Sequence, residues 1–152
     1  MQDFVHLHVH TYYSILDGQS SVQKLVDKAV ADGMKGMAIT DHGNMFGIKE
    51  FYNYCKKVNG KLKAEGKEPF KPIFGCEVYF TTDEELKKDH KPRLYHLLLL
   101  AKTNEGYHNL VKLVSQSHVD NFYYKPRTTF SMLQKYGHGI IGSSACIAGV
   151  IP

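Results

Sequence analysis

The sequence predicts an α/β fold, with about five mainly parallel strands and helices packed outside them. Three observations carry this. Short apolar runs, rich in branched and aromatic residues, recur along the chain. Amphipathic segments with helical spacing separate most of them. Polar residues able to bind metal stand near the ends of those runs, and α/β sheets gather their sites at the C-terminal ends of strands.

The first strand is read over residues 4–10, Phe4-Val5-His6-Leu7-His8-Val9-His10, where bulky residues alternate with histidines. On a strand, His6, His8 and His10 share one face and Val5, Leu7 and Val9 the other. Imidazoles two apart can converge on one metal ion. Asp17 follows on the turn Leu16-Asp17-Gly18, and histidine with carboxylate suits zinc or manganese. The alternative is a histidine-rich exposed edge strand.

A helix comes next. A capping box of Ser20 and Gln23 starts it, Val22, Leu25, Val26, Ala29 and Val30 form its apolar face, and Gly33 ends it. Residues 36–40 form a short buried strand that delivers Asp41-His42-Gly43. A second helix turns Ile48, Phe51, Tyr52 and Cys55 to one side. Residues 56–69, charged and glycine-containing, are expected to fray from it into a loop. Residues 72–80 are the third strand, and 81–92 a solvated excursion. Residues 97–101 are the most apolar strand, with His96 just before it. A helix from about Glu105 to Val119 buries Tyr107, Leu110, Val111 and Val114. Residues 121–127 read as an aromatic, basic loop. Thr128 or Thr129 caps a short helix carrying Met132, Leu133 and Tyr136. Residues 139–144 are the fifth strand, which delivers Cys146. No internal repeat or low-complexity segment interrupts this order.

Composition narrows the class. A chain of 152 residues, 43% hydrophobic, has the size of one domain and can fill a core. No apolar run is long enough to span a membrane. Asp3 and His6 stand where a signal peptide needs a basic start and an apolar core, so a cytoplasmic protein is expected. Cys55, Cys76 and Cys146 are an odd, widely spaced set, which fits thiols or one metal ligand better than disulfides. The net charge of +4 is compatible with a phosphate-bearing partner without demanding one. Among the nine histidines, His90, His118 and His138 sit in polar or glycine-flanked settings and read as surface residues.

The candidate site collects His8, His10 and Asp17 from the first strand and its turn, Asp41 and His42 from the second, Glu77 from the third, and Cys146 from the last. Each has a plainer reading. Asp41 could cap the following helix. Cys146 could be a small buried hydrophobe. Glu77, alone in an apolar strand, needs a partner. Together they exceed what one tetrahedral zinc site uses, which points to a multinuclear centre. Such centres serve phosphoester hydrolysis, where metal ions activate water and offset charge on the phosphoryl oxygens. The chain holds no Gly-x-Ser-x-Gly, P-loop or dinucleotide fingerprint.

Three linked motifs then resemble the polymerase and histidinol phosphatase (PHP) domain family. They are His6-Leu7-His8-Val9-His10-Thr11 with Tyr13-Ser14-Ile15-Leu16-Asp17-Gly18, Ile39-Thr40-Asp41-His42-Gly43-Asn44-Met45-Phe46-Gly47, and Pro72-Ile73-Phe74-Gly75-Cys76-Glu77. His96-Leu97-Leu98-Leu99-Leu100-Ala101-Lys102, Gly106-Tyr107, Asn109-Leu110 and Tyr123-Tyr124-Lys125-Pro126-Arg127 resemble the branch carried by bacterial replicative DNA polymerases.

The resemblance implies a distorted seven-stranded β/α barrel with up to three zinc or manganese ions. It implies the ligands His8, His10, Asp17, His42, Glu77, His96 and Cys146, the first five of them catalytic through bound metal. His96 enters the set on resemblance alone. Asp17 and Cys146 stand where phosphatases of the family carry His. The family's last motif, Asp-x-His, has no match, so residues 1–152 are expected to be an N-terminal piece lacking the last strands. Such a piece would be inactive by itself, hold fewer ions or none, and associate through an exposed sheet edge.

The implied function is a metal-dependent phosphoesterase within a DNA-directed DNA polymerase, with 3′-to-5′ proofreading when intact. DNA and other replicase subunits, an exonuclease subunit among them, would be its partners. Lys125 and Arg127 would steady the DNA backbone, an ordinary basic turn being the alternative. A catalytically inert docking platform is a second reading. A stand-alone phosphatase of small phosphomonoesters is a third, disfavoured by Asp17, Cys146 and the Tyr123–Arg127 loop.

Overall fold

A mixed sheet, built along one long strand, organises the chain. The computed structural model describes residues 4–87 and 93–150. Strand β1 (Gly36–Ile39), buried at every position, pairs in parallel with the first half of β2 (Lys71–Phe80). The other edge of β2 pairs antiparallel with β3 (Tyr95–Ala101). A small hairpin, β4 (Phe122–Tyr123) and β5 (Lys125–Thr128), joins the far end of β2, with β5 parallel to it. Strand β6 (Ile140–Ser144) pairs antiparallel with β3 and is largely exposed. Strands β1, β2, β5 and β6 thus run one way, and β3 and β4 the other.

Among the described residues, five helices lie around the sheet: α1 (Val22–Ala31), α2 (Ile48–Ala64), α3 (Asp83–Leu86), α4 (Asn104–Val119) and α5 (Phe130–Tyr136). Val22 and Val26 of α1 and Phe51 of α2 pack with Met37 and Ile39 of β1. Leu110 and Leu113 of α4 and Met132 of α5 pack with Cys76, Val78 and Leu99. Each fully buried side chain of this size stabilises the fold by about 1.5–3 kcal/mol. Leu98 and Leu100 alternate to the opposite face with Ala38. Gly106 sets the approach of α4 to the lead-in of β6, because a Cβ there would lie 1.8 Å from the Gly139 carbonyl oxygen. No helix among the described residues is long and apolar enough to cross a membrane.

Several expectations are corrected. Residues 4–10 lie beside β1 but make only one bridge, His6 with Met37. The ladder fails because the Thr40 hydroxyl, instead of a backbone carbonyl, accepts the Val9 N–H at 2.9 Å. The cap of α1 is Ser21, which accepts from the Lys24 N–H, and not Ser20, whose carbonyl is held by the Tyr12 N–H at 3.0 Å. Residues 56–64 do not fray. Val58 and Leu62 pack on the core, and the Asn59 side chain bonds both the N–H and the carbonyl of Phe70. Residues 121–127 form most of a hairpin with Tyr124 at its turn, φ 59°. His96 lies inside β3 rather than before it. Thr82 caps α3 within the polar excursion, whose residues 88–92, His90 included, lie outside the described residues.

Candidate metal centre

Glu77 is the hub. It sits midway along β2, where Cys76 and Val78 point into the helical core and alternation sends its carboxylate to the other face. It is 1% exposed. Its Oε2 lies 3.2 Å from His8 Nε2, 2.9 Å from His10 Nε2 and 3.1 Å from His42 Nδ1. Its Oε1 lies 3.1 Å from His96 Nδ1 and 3.9 Å from Cys146 Sγ. Asp17 Oδ2 meets the other nitrogen of His42 at 3.1 Å. All seven residues expected as ligands therefore come together.

Topology explains the convergence. His8 and His10 follow the bridge beside β1, and His42 follows β1 itself, tied to β2 by the Gly43 N–H donating to the Glu77 carbonyl. Cys146 follows the C-terminal end of β6. Because β3 is antiparallel, its N-terminal end reaches the same end of the sheet, and His96 pairs with Tyr79. This is why a residue at the start of a strand joins the site.

The electrostatics fit a bound cation. Burial pushes the Glu77 carboxyl up, but His10, His42 and His8 around it outweigh this and hold it down at about 2. The Glu77 carboxylate raises His10, whereas burial lowers His42. His42 Nδ1 and Glu77 Oε2 are buried with no aligned hydrogen bond, although they lie 3.1 Å apart. His8 and His10 also aim Nε2 at Nε2 across 3.2 Å. Ring nitrogens and carboxylate oxygens crowded this closely are arranged as ligands are. The ligand atoms of His8, His10 and Glu77 lie within 4.8 Å of one another, and so do those of His42, Glu77 and His96. Glu77 is common to both sets.

A second layer of residues aims the first. The Ser14 hydroxyl donates to Asp41 Oδ1 at 2.9 Å, so it accepts from His10 Nδ1 at 2.8 Å. That fixes the Nδ1–H tautomer of neutral His10 and leaves its Nε2 bare toward Glu77. Asp41, 2% exposed, also accepts from the Thr11 N–H and hydroxyl. It is not the cap of α2, which is Gly47, and its two oxygens are taken up by Thr11 and Ser14. Tyr79 stacks on His42 with centroids 5.4 Å apart. His118 Nε2 donates to the Gly43 carbonyl, and Gly43, at φ +60°, leaves no room for a Cβ beside Pro126. Sequence reasoning missed Ser14, Thr11 and Tyr79. None has a spacing signal that separates it from loop or strand residues.

The two basic residues part company. Lys125 Nζ lies 5.1 Å from the Tyr79 ring centroid, beside the site. Arg127 is 8% exposed, donates through Nε to the Asn121 carbonyl, and stacks over Tyr123. It braces the hairpin.

Metal ligation requires neutral imidazole. The Glu77 carboxylate raises His10 from its ordinary 6.5, so metal affinity is expected to climb with pH through the range above 6.5 in which His10 titrates and then level off. Calorimetry in buffers of different ionisation enthalpy should detect proton release on metal binding there. Affinity flat across that range would contradict this assignment.

A family model for the PHP domain matches residues 6–152. Curated relatives named DNA polymerase III subunit alpha align with nearly the whole chain. The Aquifex aeolicus protein is 43% identical over 98% of this chain and 13% of its own. The Borreliella burgdorferi protein is 45% identical over 98% and 12%, and that of Treponema pallidum 43% over 98% and 12%. The chain thus spans about an eighth of the length of these relatives. A solved amidohydrolase structure from Chromobacterium violaceum is 20% identical, with a TM-score of 0.49 over 74% of this chain and 32% of that one. That likeness is too loose to support an argument.

Proposed function

The chain belongs to the PHP domain family, and on that premise we propose that residues 1–152 are the metal-bearing phosphoesterase part of a bacterial DNA polymerase III alpha subunit, with 3′-to-5′ proofreading as the reaction. The observation that carries this is Glu77, shared between two sets of candidate ligands. His8, His10 and Glu77 would hold one ion, and His42, Glu77 and His96 a second. Asp17 and Cys146 extend the set from the more exposed side. Zinc or manganese held there would supply Lewis acidity toward a phosphoryl oxygen.

The chain's own residues have separate tasks. Glu77 stays ionised at any working pH and offsets the cationic charge it binds. Asp41 and Ser14 hold His10 in its ligating tautomer. Tyr79 covers one face of His42, and Lys125 supplies positive charge for a phosphate. The relatives' name supports DNA as substrate and other polymerase III subunits as partners, and the same proposal takes in an exonuclease subunit among them and the bacterial cytoplasm as the location. The exposed edge of β6 offers the isolated chain a surface for self-association.

The test is nucleotide release from a 3′-labelled primer by the full-length polymerase with manganese or zinc. The His8→Ala variant is expected to lose this activity by at least about a hundredfold while keeping primer extension. The 152-residue chain alone, with β6 open to solvent, is expected to be far slower. Release unaffected by His8→Ala would assign proofreading to another site. No release with any metal would favour the docking-platform reading.

A further inference from the structure

We propose that the cleft beside the metal centre is a base-stacking subsite for the terminal nucleoside of a single-stranded DNA end. The cleft has a volume of about 350 Å³, within the range of small-ligand sites. Asp17 and His42 form the wall it shares with the metal centre. Tyr12, Phe46, Phe122 and Tyr124 line the rest, with Lys125 among them. Phe46 is 69% and Tyr124 72% exposed. Rings left in water beside a charged site gain nothing from folding. They suit a ligand that is flat, apolar on its faces and attached to a phosphate, which describes a nucleobase.

The backbone supports the same reading independently. Among the described residues, the non-glycine residues with positive φ are Leu16 and Tyr124. Tyr124 lines this cleft itself, and Leu16 lies between two residues that do, Ile15 and Asp17. A left-handed conformation is costly for such side chains and tends to persist at ligand-binding positions. At Tyr124 it holds the ring out at the tip of the β4–β5 hairpin. The Tyr12 hydroxyl is bonded to Glu50, which fixes that ring as a wall of the cleft. Lys125, over Tyr79, brings positive charge to the passage between the stacked base and the metal ligands.

This subsite rests on the phosphoesterase reading for the identity of its ligand, and its test is kept separate from hydrolysis. The probe is a short single-stranded oligonucleotide with 2-aminopurine at its 3′ end, mixed with the chain in the presence of chelator. Stacking is expected to quench the probe, and a matching oligonucleotide with an abasic 3′ end should bind about tenfold more weakly. Phe46→Ala and Tyr124→Ala should each bring binding down to the abasic level, and Phe46→Trp should restore it. Equal binding of the intact and abasic ends would overturn the subsite, as would unchanged quenching in both alanine variants. Base-dependent quenching together with no nucleotide release by the full-length polymerase under any metal would uphold the subsite and overturn the phosphoesterase reading instead.

Discussion

Glu77→Gln is expected to abolish tight metal binding. The amide keeps the volume but loses the charge and turns one acceptor into a donor facing imidazole nitrogens. Both ligand sets share this residue, so both positions fail together. Loss of outer-layer partners alone costs about 10–100-fold in metal affinity, and loss of a shared ligand should exceed that. The variant also reports on stability. Glu77 falls from 4.5 unfolded to about 2 folded, worth roughly 3 kcal/mol. That contribution is present above 4.5 and is lost as pH falls from 4.5 toward 2. The raised His10 is the same contact seen from its partner and is not added to it. Urea unfolding of metal-free protein should therefore show an acid-side loss in the native chain that Glu77→Gln lacks. Metal content after dialysis should fall to background in the variant. Retained stoichiometric metal would contradict the role assigned to Glu77.

Asp41→Ala is expected to be the most destabilising change near the site. It strands the Thr11 N–H and the Thr11 hydroxyl and takes the acceptor from the Ser14 hydroxyl, all bonded to Asp41 within 2.9 Å. Unsatisfied buried donors cost about 1–3 kcal/mol each, so a loss of roughly 2–6 kcal/mol is expected in the free energy of urea unfolding. The variant should also weaken metal binding. Freed from Asp41, the Ser14 hydroxyl can donate to His10 Nδ1, which moves the imidazole proton to Nε2, toward Glu77. Asp41→Asn keeps one acceptor and should fall between. A loss of metal affinity with no loss of stability would mean that Asp41 is itself a ligand.

Much of this was legible in the sequence, and the exceptions have physical causes. His8, His10, His42 and Glu77 could be placed together because each is a polar group near an apolar strand, and strand ends in α/β sheets meet. His96 could not be placed by that rule. Local pattern does not state strand direction, and only the antiparallel pairing of β3 brings its first residues to the site. Residues 56–64 looked like a fraying end because charge and Gly60 dominate there. What holds them helical is distant, the Asn59 clasp on Phe70 and the packing of Leu62. Ser14 and Asp41 carry no periodic signal, since their role depends on a loop folding back over 27 residues. Arg127 read as a surface phosphate ligand because composition cannot show that its side chain is buried in a hairpin.

The central claim is that Glu77 joins two cation positions. Anomalous diffraction from crystals of the chain soaked in zinc or manganese tests it most directly. The geometry predicts separate peaks on the two sides of the Glu77 carboxylate, one against His8 and His10 and one against His42 and His96. Density with no anomalous peak at Glu77 under saturating metal, its oxygens bonded only to imidazole N–H groups, would contradict it.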